Sequence, residues 1–93
     1  MRDASSGAKR LILTAHAEDA TTERKLDKSW IESTVRKPDW SYPDPDPLRP
    51  GVERRFRVIS EYGNRVLRVA CLETADEIRI LTVFFDRDAR APK

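Results

Sequence analysis

The sequence predicts a single α+β domain, β-α-α-β-β-β in order, with two helices packed on one face of a small antiparallel sheet. Three observations predict it: a short apolar strand leading into two capped helical segments, a proline-rich connection after them, and three consecutive stretches whose apolar residues recur at every second position. With 93 residues, 39% hydrophobic and 37% charged, the chain has material for one modest core and no second one. The expected division is a disordered N-terminus over 1–8, one domain over 9–87 and a C-terminal tail over 88–93.

Each element has its own signal. Arg10-Leu11-Ile12-Leu13 reads as a strand. Thr14 then offers a hydroxyl as N-cap for a helix from Ala15 to about Lys25, with Glu18 and Asp19 in the early turns where negative charge suits the helix dipole. Its apolar side is only Ala15, Ala17 and Ala20, so this helix depends on tertiary contacts. Asp27 caps a second helix from Lys28 to Lys37, in which Trp30, Ile31 and Val35 form an inward stripe and Pro38 enforces the end.

Residues 38–51 hold five of the six prolines and read as an extended, semi-rigid loop. Its aspartates lack the glycine turn and terminal glutamate of a calcium loop. Trp40 and Tyr42 have two readings, stacking on a base or pinning the loop to its own domain, and the tendency of aromatics to bury their surface favours pinning.

Period-two alternation then predicts strands over Glu53 to Ser60, Asn64 to Glu73 and Glu77 to Asp86, with reversals at 61–64 and 74–76. Phe56 and Val58, then Leu67, Val69 and Cys71, then Ile78, Ile80, Thr82 and Phe84 are the residues expected beneath the helices. The third strand is also apolar on its other side through Leu81, Val83 and Phe85, which predicts a central position. On this assignment Arg55, Arg57, Arg68 and Arg79 share the opposite face.

Charge excludes more than it selects. Eighteen basic and sixteen acidic residues leave a formal +2, too nearly balanced for the global field to draw in nucleic acid unaided. Any anion site is therefore local. Arginine supplies 13 of the 18 positive charges, and its planar fork suits phosphate and carboxylate. The four-arginine face reads either as a solvated surface that keeps the sheet wet or as a patch that attracts a polyanion or an acidic protein segment. A lone Cys71 cannot form an internal disulfide, and residues 1–7 lack the apolar stretch of a signal peptide, so the expected setting is cytoplasmic, with no membrane association.

His16 is the one histidine. Histidine ordinarily titrates near neutral pH, which suits proton transfer, but at a helix start it is more often structural. A proton-transfer role requires a carboxylate to orient it, for which Glu23, two turns along the same helix, and Glu53 are the candidates. A structural zinc site lacks ligands, Cys71 falls on the expected core face, and no metal or cofactor is implied.

Leu13-Thr14-Ala15-His16-Ala17, continued by Glu23-Arg24, Pro38-Asp39, the segment Gly63 to Val69 and the segment Ile80 to Phe85, resembles a bacterial family of small domains of unknown function related to the RelE, ParE and BrnT toxins. The similarity spans about Arg10 to Phe85 through short motifs. It implies a toxin-like ribonuclease that cuts messenger RNA, with an antitoxin protein and RNA as partners. In such enzymes basic residues hold the scissile phosphate while its own 2′-hydroxyl attacks, so positioning and charge stabilisation carry the catalysis. The site the resemblance implies here has His16, Arg57 and Arg68 as catalytic residues and Arg55, Arg57, Arg68, Arg79 and Arg24 as phosphate contacts. Two departures from the family pattern, Ala20 in place of an arginine and Phe84 in place of a tyrosine, point towards a degenerate member. The alternative is a non-catalytic interaction module that binds an acidic protein partner or nucleic acid. The sequence leaves the oligomeric state open.

Overall fold

A computed structural model describes residues 9–92; the disorder expected for 1–8 lies outside the described residues. The elements run β1 (Arg10–Leu13), α1 (Ala15–Glu23), α2 (Lys28–Arg36), β2 (Trp40–Pro43), β3 (Val52–Ile59), a short 3-10 turn (Ser60–Tyr62), β4 (Arg65–Glu73) and β5 (Glu77–Phe85). The caps are those the sequence predicts: Thr14 Oγ1 accepts from the Ala17 amide at 3.2 Å and Asp27 Oδ1 from the Ser29 amide at 2.8 Å. Each satisfies an amide that the first helical turn leaves without a partner.

The class holds, α+β with two helices, but the sheet is five-stranded and mixed. Its order is β1-β5-β4-β3-β2. The added strand, β2, lies in the predicted proline loop and pairs antiparallel with β3, Trp40 opposite Phe56 and Pro43 opposite Glu53. Proline is tolerated because β2 is an edge strand whose outward amides need no partner. At the other edge β1 pairs parallel with β5, Arg10 opposite Glu77 through Leu13 opposite Ile80. The two helices occupy the long connection that a parallel pairing requires. As expected, β5 is internal, between β1 and β4.

Helix α1 lies over β5 and β1, and α2 over β4 and β3. Between helices and sheet, Ala17, Ile31 and Val35 pack on Leu67, Val69, Cys71, Ile78, Ile80 and Val83. Two side-chain assignments differ from the sequence reading. In β3 the residue in this core is Ile59, not Phe56. Phe56 points to the other side, where Trp40 stacks on it with ring centroids 5.1 Å apart and Tyr42 meets it at 5.2 Å. The aromatics of the proline loop are thus pinned to the domain, and they supply the apolar partners that draw Phe56 away from the helices.

In β5 the ladder slips. Ala70 faces Thr82 and Cys71 faces Ile80, leaving Leu81 as an extra residue in a bulge. One inserted residue reverses the parity of all that follow. Consequently Ile78 and Ile80, then Val83 and Phe85, face the helices, while Thr82 and Phe84 turn to the open face.

Candidate functional site

The pairing register separates the four arginines expected on one face. Arg55 and Arg57 stand opposite Val69 and Leu67 on the helix side of the sheet; Arg68 and Arg79 stand opposite Phe84 and Leu72 on the open side. The shared face is corrected, and the reason is Ile59, which takes the core position of β3 and carries Arg57 and Arg55 with it by strict alternation.

Each of the four guanidiniums also has a partner. Arg55 donates to Glu53 at 2.6 Å, to Glu73 at 2.7 Å and to the Val35 carbonyl at the end of α2 at 2.9 Å. Arg57 donates to the Lys37 carbonyl at 2.7 Å and lies 3.9 Å from Asp39. Arg68 donates to Asp86 at 3.0 Å, and Arg79 to Glu77 at 2.7 Å. In the proline loop the carboxylate of Asp44, almost wholly covered, accepts from the Asp46 amide at 2.9 Å and lies 3.4 Å from both Arg54 and Arg49.

The Arg55 network has a measurable consequence. Hydrogen bonds from Arg55 and then from Lys9, whose ammonium is 2.8 Å from Glu73, hold the Glu73 carboxyl down to about 2 from its ordinary 4.5. A depressed carboxyl stabilises the fold above its unfolded value and loses that contribution as acid protonates it. Unfolding temperature should therefore fall between about pH 4.5 and pH 2, and the Glu73→Gln protein should show a flatter profile across that window. Parallel profiles for the two proteins would remove the role assigned to Glu73.

His16 and Arg24 do come together. Both line a cleft of about 370 Å³ between α1 and β5, with Asp19, Glu23 and Phe84. The cleft exists because β1 stops opposite Ile80, so β5 from Leu81 onward has no strand on that side. Glu23, one of the two carboxylates suggested for orienting His16, lines the same cleft, whereas Glu53 is engaged by Arg55. Among the described residues the His16 side chain makes no hydrogen bond and Arg24 no ion pair. Of the four sheet arginines, Arg68 connects to this cleft most directly: its guanidinium lies 4.5 Å from the centroid of the Phe84 ring, which forms one wall.

Burial pushes the Cys71 thiol up to about 11, as an inert core sulfur should be. Among the described residues no group of three or more His, Cys, Asp or Glu is placed to hold a metal ion, and no helix is long and apolar enough to cross a membrane.

One cluster escapes the sequence reading. Arg65 at the start of β4 and Arg87 and Arg90 beyond β5 line a second concavity of about 370 Å³. None of the three makes an ion pair among the described residues. The available signal was basic residues at two neighbouring strand ends, Arg65 just past one reversal and Arg87 just past the last strand, which antiparallel pairing of β4 with β5 must bring side by side.

Residues 13–85 match the family described as a domain of unknown function (DUF4258). No curated protein and no solved structure matches the chain.

Proposed function

The chain belongs to the DUF4258 family, and we propose that this domain is a non-catalytic interaction module, which binds a partner rather than transforming a substrate. One observation carries the reading: all four arginines of the expected phosphate clamp are already engaged, Arg55, Arg68 and Arg79 by carboxylates and Arg57 by the Lys37 carbonyl beside Asp39. A scissile phosphate would meet guanidiniums whose charge is already balanced by carboxylates or, for Arg57, by a carbonyl, which reduces the gain from holding it. The lone buried cysteine fits a reducing cytoplasm as the working environment.

A toxin-like ribonuclease of the RelE, ParE and BrnT type, with an antitoxin as its partner, is the second reading. The shared cleft of His16 and Arg24 favours it. The two separate on induction in bacterial cells, comparing the wild type with a His16→Ala, Arg68→Ala protein. Intact cellular RNA, with or without an effect on growth, supports the module. Growth arrest with cleaved RNA that the double change abolishes would overturn it in favour of the ribonuclease.

A further inference from the structure

We propose that the concavity at the ends of β4 and β5 binds a single-stranded phosphodiester chain, with Arg65, Arg87 and Arg90 as its phosphate contacts. The inference rests on the module reading in one respect: the strand is held and not cut.

Charge makes the first argument. Among the described residues, the one ionisable residue besides the three arginines that lines the concavity is Asp86, and its carboxylate already accepts from Arg68 at 3.0 Å. Asp88, the other acid of this turn, does not line it. Elsewhere among the described residues every arginine but Arg10 and Arg24 is paired with a carboxylate; here three guanidiniums share a hollow whose one described acid is occupied. Local excess of this kind is what a balanced overall charge requires if an anion is to bind at all.

Preorganisation makes the second. The Arg65 guanidinium lies 5.4 Å from the centroid of Tyr62 and 5.2 Å from that of Phe85. Tyr62 and Phe85 are themselves stacked at 5.0 Å and Trp30 closes the group at 5.1 Å from Tyr62. Contact with ring faces fixes the guanidinium while leaving its N–H donors free, the form in which arginine binds phosphate bidentately. Arg90 is positioned differently, by one Nη donating at 3.1 Å to the carbonyls of Arg87 and Ala89.

The third argument selects a strand over a single phosphate. Tyr62, outside the lining of the concavity but against Arg65, keeps 43% of its surface exposed although Phe85, Trp30 and Arg65 lie on its ring. Its free part is therefore open to contact by a base, and cations beside aromatics are the pattern of single-strand binding. An acidic peptide would meet the charges but leave that ring unused.

The test is fluorescence anisotropy of the whole chain with a labelled oligouridine and a thymidine DNA of equal length, across a salt series. Three phosphate contacts predict a slope of about −2 in log affinity against log salt. The Arg65→Ala, Arg87→Ala, Arg90→Ala protein should lose about tenfold or more in affinity and most of that slope. Because Arg65 also packs, an Arg87→Glu, Arg90→Glu protein, altered only outside the ladder, should lose comparably while unfolding at the wild-type temperature. Arg10→Ala, at the far end of the sheet, should bind as wild type. Equal binding of RNA and DNA assigns recognition to the backbone, and RNA alone adds the 2′-hydroxyl; both sustain the inference. Unchanged affinity in the arginine variants, or binding to polyglutamate or anionic vesicles but to neither oligonucleotide, overturns it while leaving the module reading standing. Oligonucleotide bound through these arginines and recovered cleaved would instead overturn the non-catalytic reading and leave the concavity as the place where the strand is held.

Discussion

Replacing Phe56 with alanine should cost about 3–5 kcal/mol, the range for deleting a fully buried aromatic ring. For a domain of this size that is a fall of roughly 12 °C or more in unfolding temperature. Phe56 retains 1% of its surface and is covered from outside by Trp40, nearly parallel at 7°, and by Tyr42. The ring is thus the centre of a second, smaller apolar layer on the open face, and it holds β2 to the sheet. Thermal unfolding followed by circular dichroism reads the loss, and a red shift of Trp40 emission should accompany it as β2 loosens. A loss under about 1 kcal/mol would mean that the backbone pairing of β2 with β3 holds the edge without the aromatic stack.

Arg55→Ala should follow, at about 2–3 kcal/mol. Breaking an enclosed ion pair by removing one partner costs about 3–5 kcal/mol, reduced here because Glu53 and Glu73 keep 40% and 37% of their side chains exposed and water partly replaces the lost donor. The same change removes the donor to the Val35 carbonyl, one of the acceptors that a helix end leaves without an internal partner. Arg55→Lys should recover less than half of the loss, since one ammonium cannot reach in three directions as the planar fork does. In the alanine protein the Glu73 carboxyl should rise from about 2 towards its ordinary value, which a carboxylate NMR titration follows directly. An unmoved Glu73 would assign its low value to Lys9 alone.

These two residues also mark the limits of what the sequence made legible. Both helices and their caps followed from local chemistry, because Thr14, Asp27 and Pro38 act on their own neighbours. The three long strands followed from alternation, to within a residue or so at each end. Which face of β3 is buried did not follow, because that strand is apolar on both sides: Val52, Phe56 and Val58 outnumber Ile59, but the helices select Ile59 and the loop aromatics take Phe56. A count of apolar residues cannot weigh partners that arrive from another segment. The bulge at Leu81 was equally hidden, since Leu81, Thr82, Val83, Phe84 and Phe85 satisfy either parity. Half of the expected arginine face depended on that one parity in β3. The meeting of His16 and Arg24 in one cleft was not legible from local chemistry: the resemblance singled out both residues, and α1 with its C-cap brings them to the same hollow.

The parallel pairing of β1 with β5 has a consequence for how the molecule is made. Arg10 faces Glu77 and Leu13 faces Ile80, so the earliest strand to leave the ribosome must wait for the latest before it has a neighbour. Until then Leu11, Ile12 and Leu13 are without their shelter, and closing so long a loop defers its reward until nearly all the other segments are in place. The helices that follow β1 can assemble locally in the interval, but α1 packs chiefly on β5, the last strand to be synthesised. Completion of the hydrophobic layer is therefore a late event, and a nascent chain stalled before residue 77 would present its opening strand to any chaperone or exposed strand edge nearby.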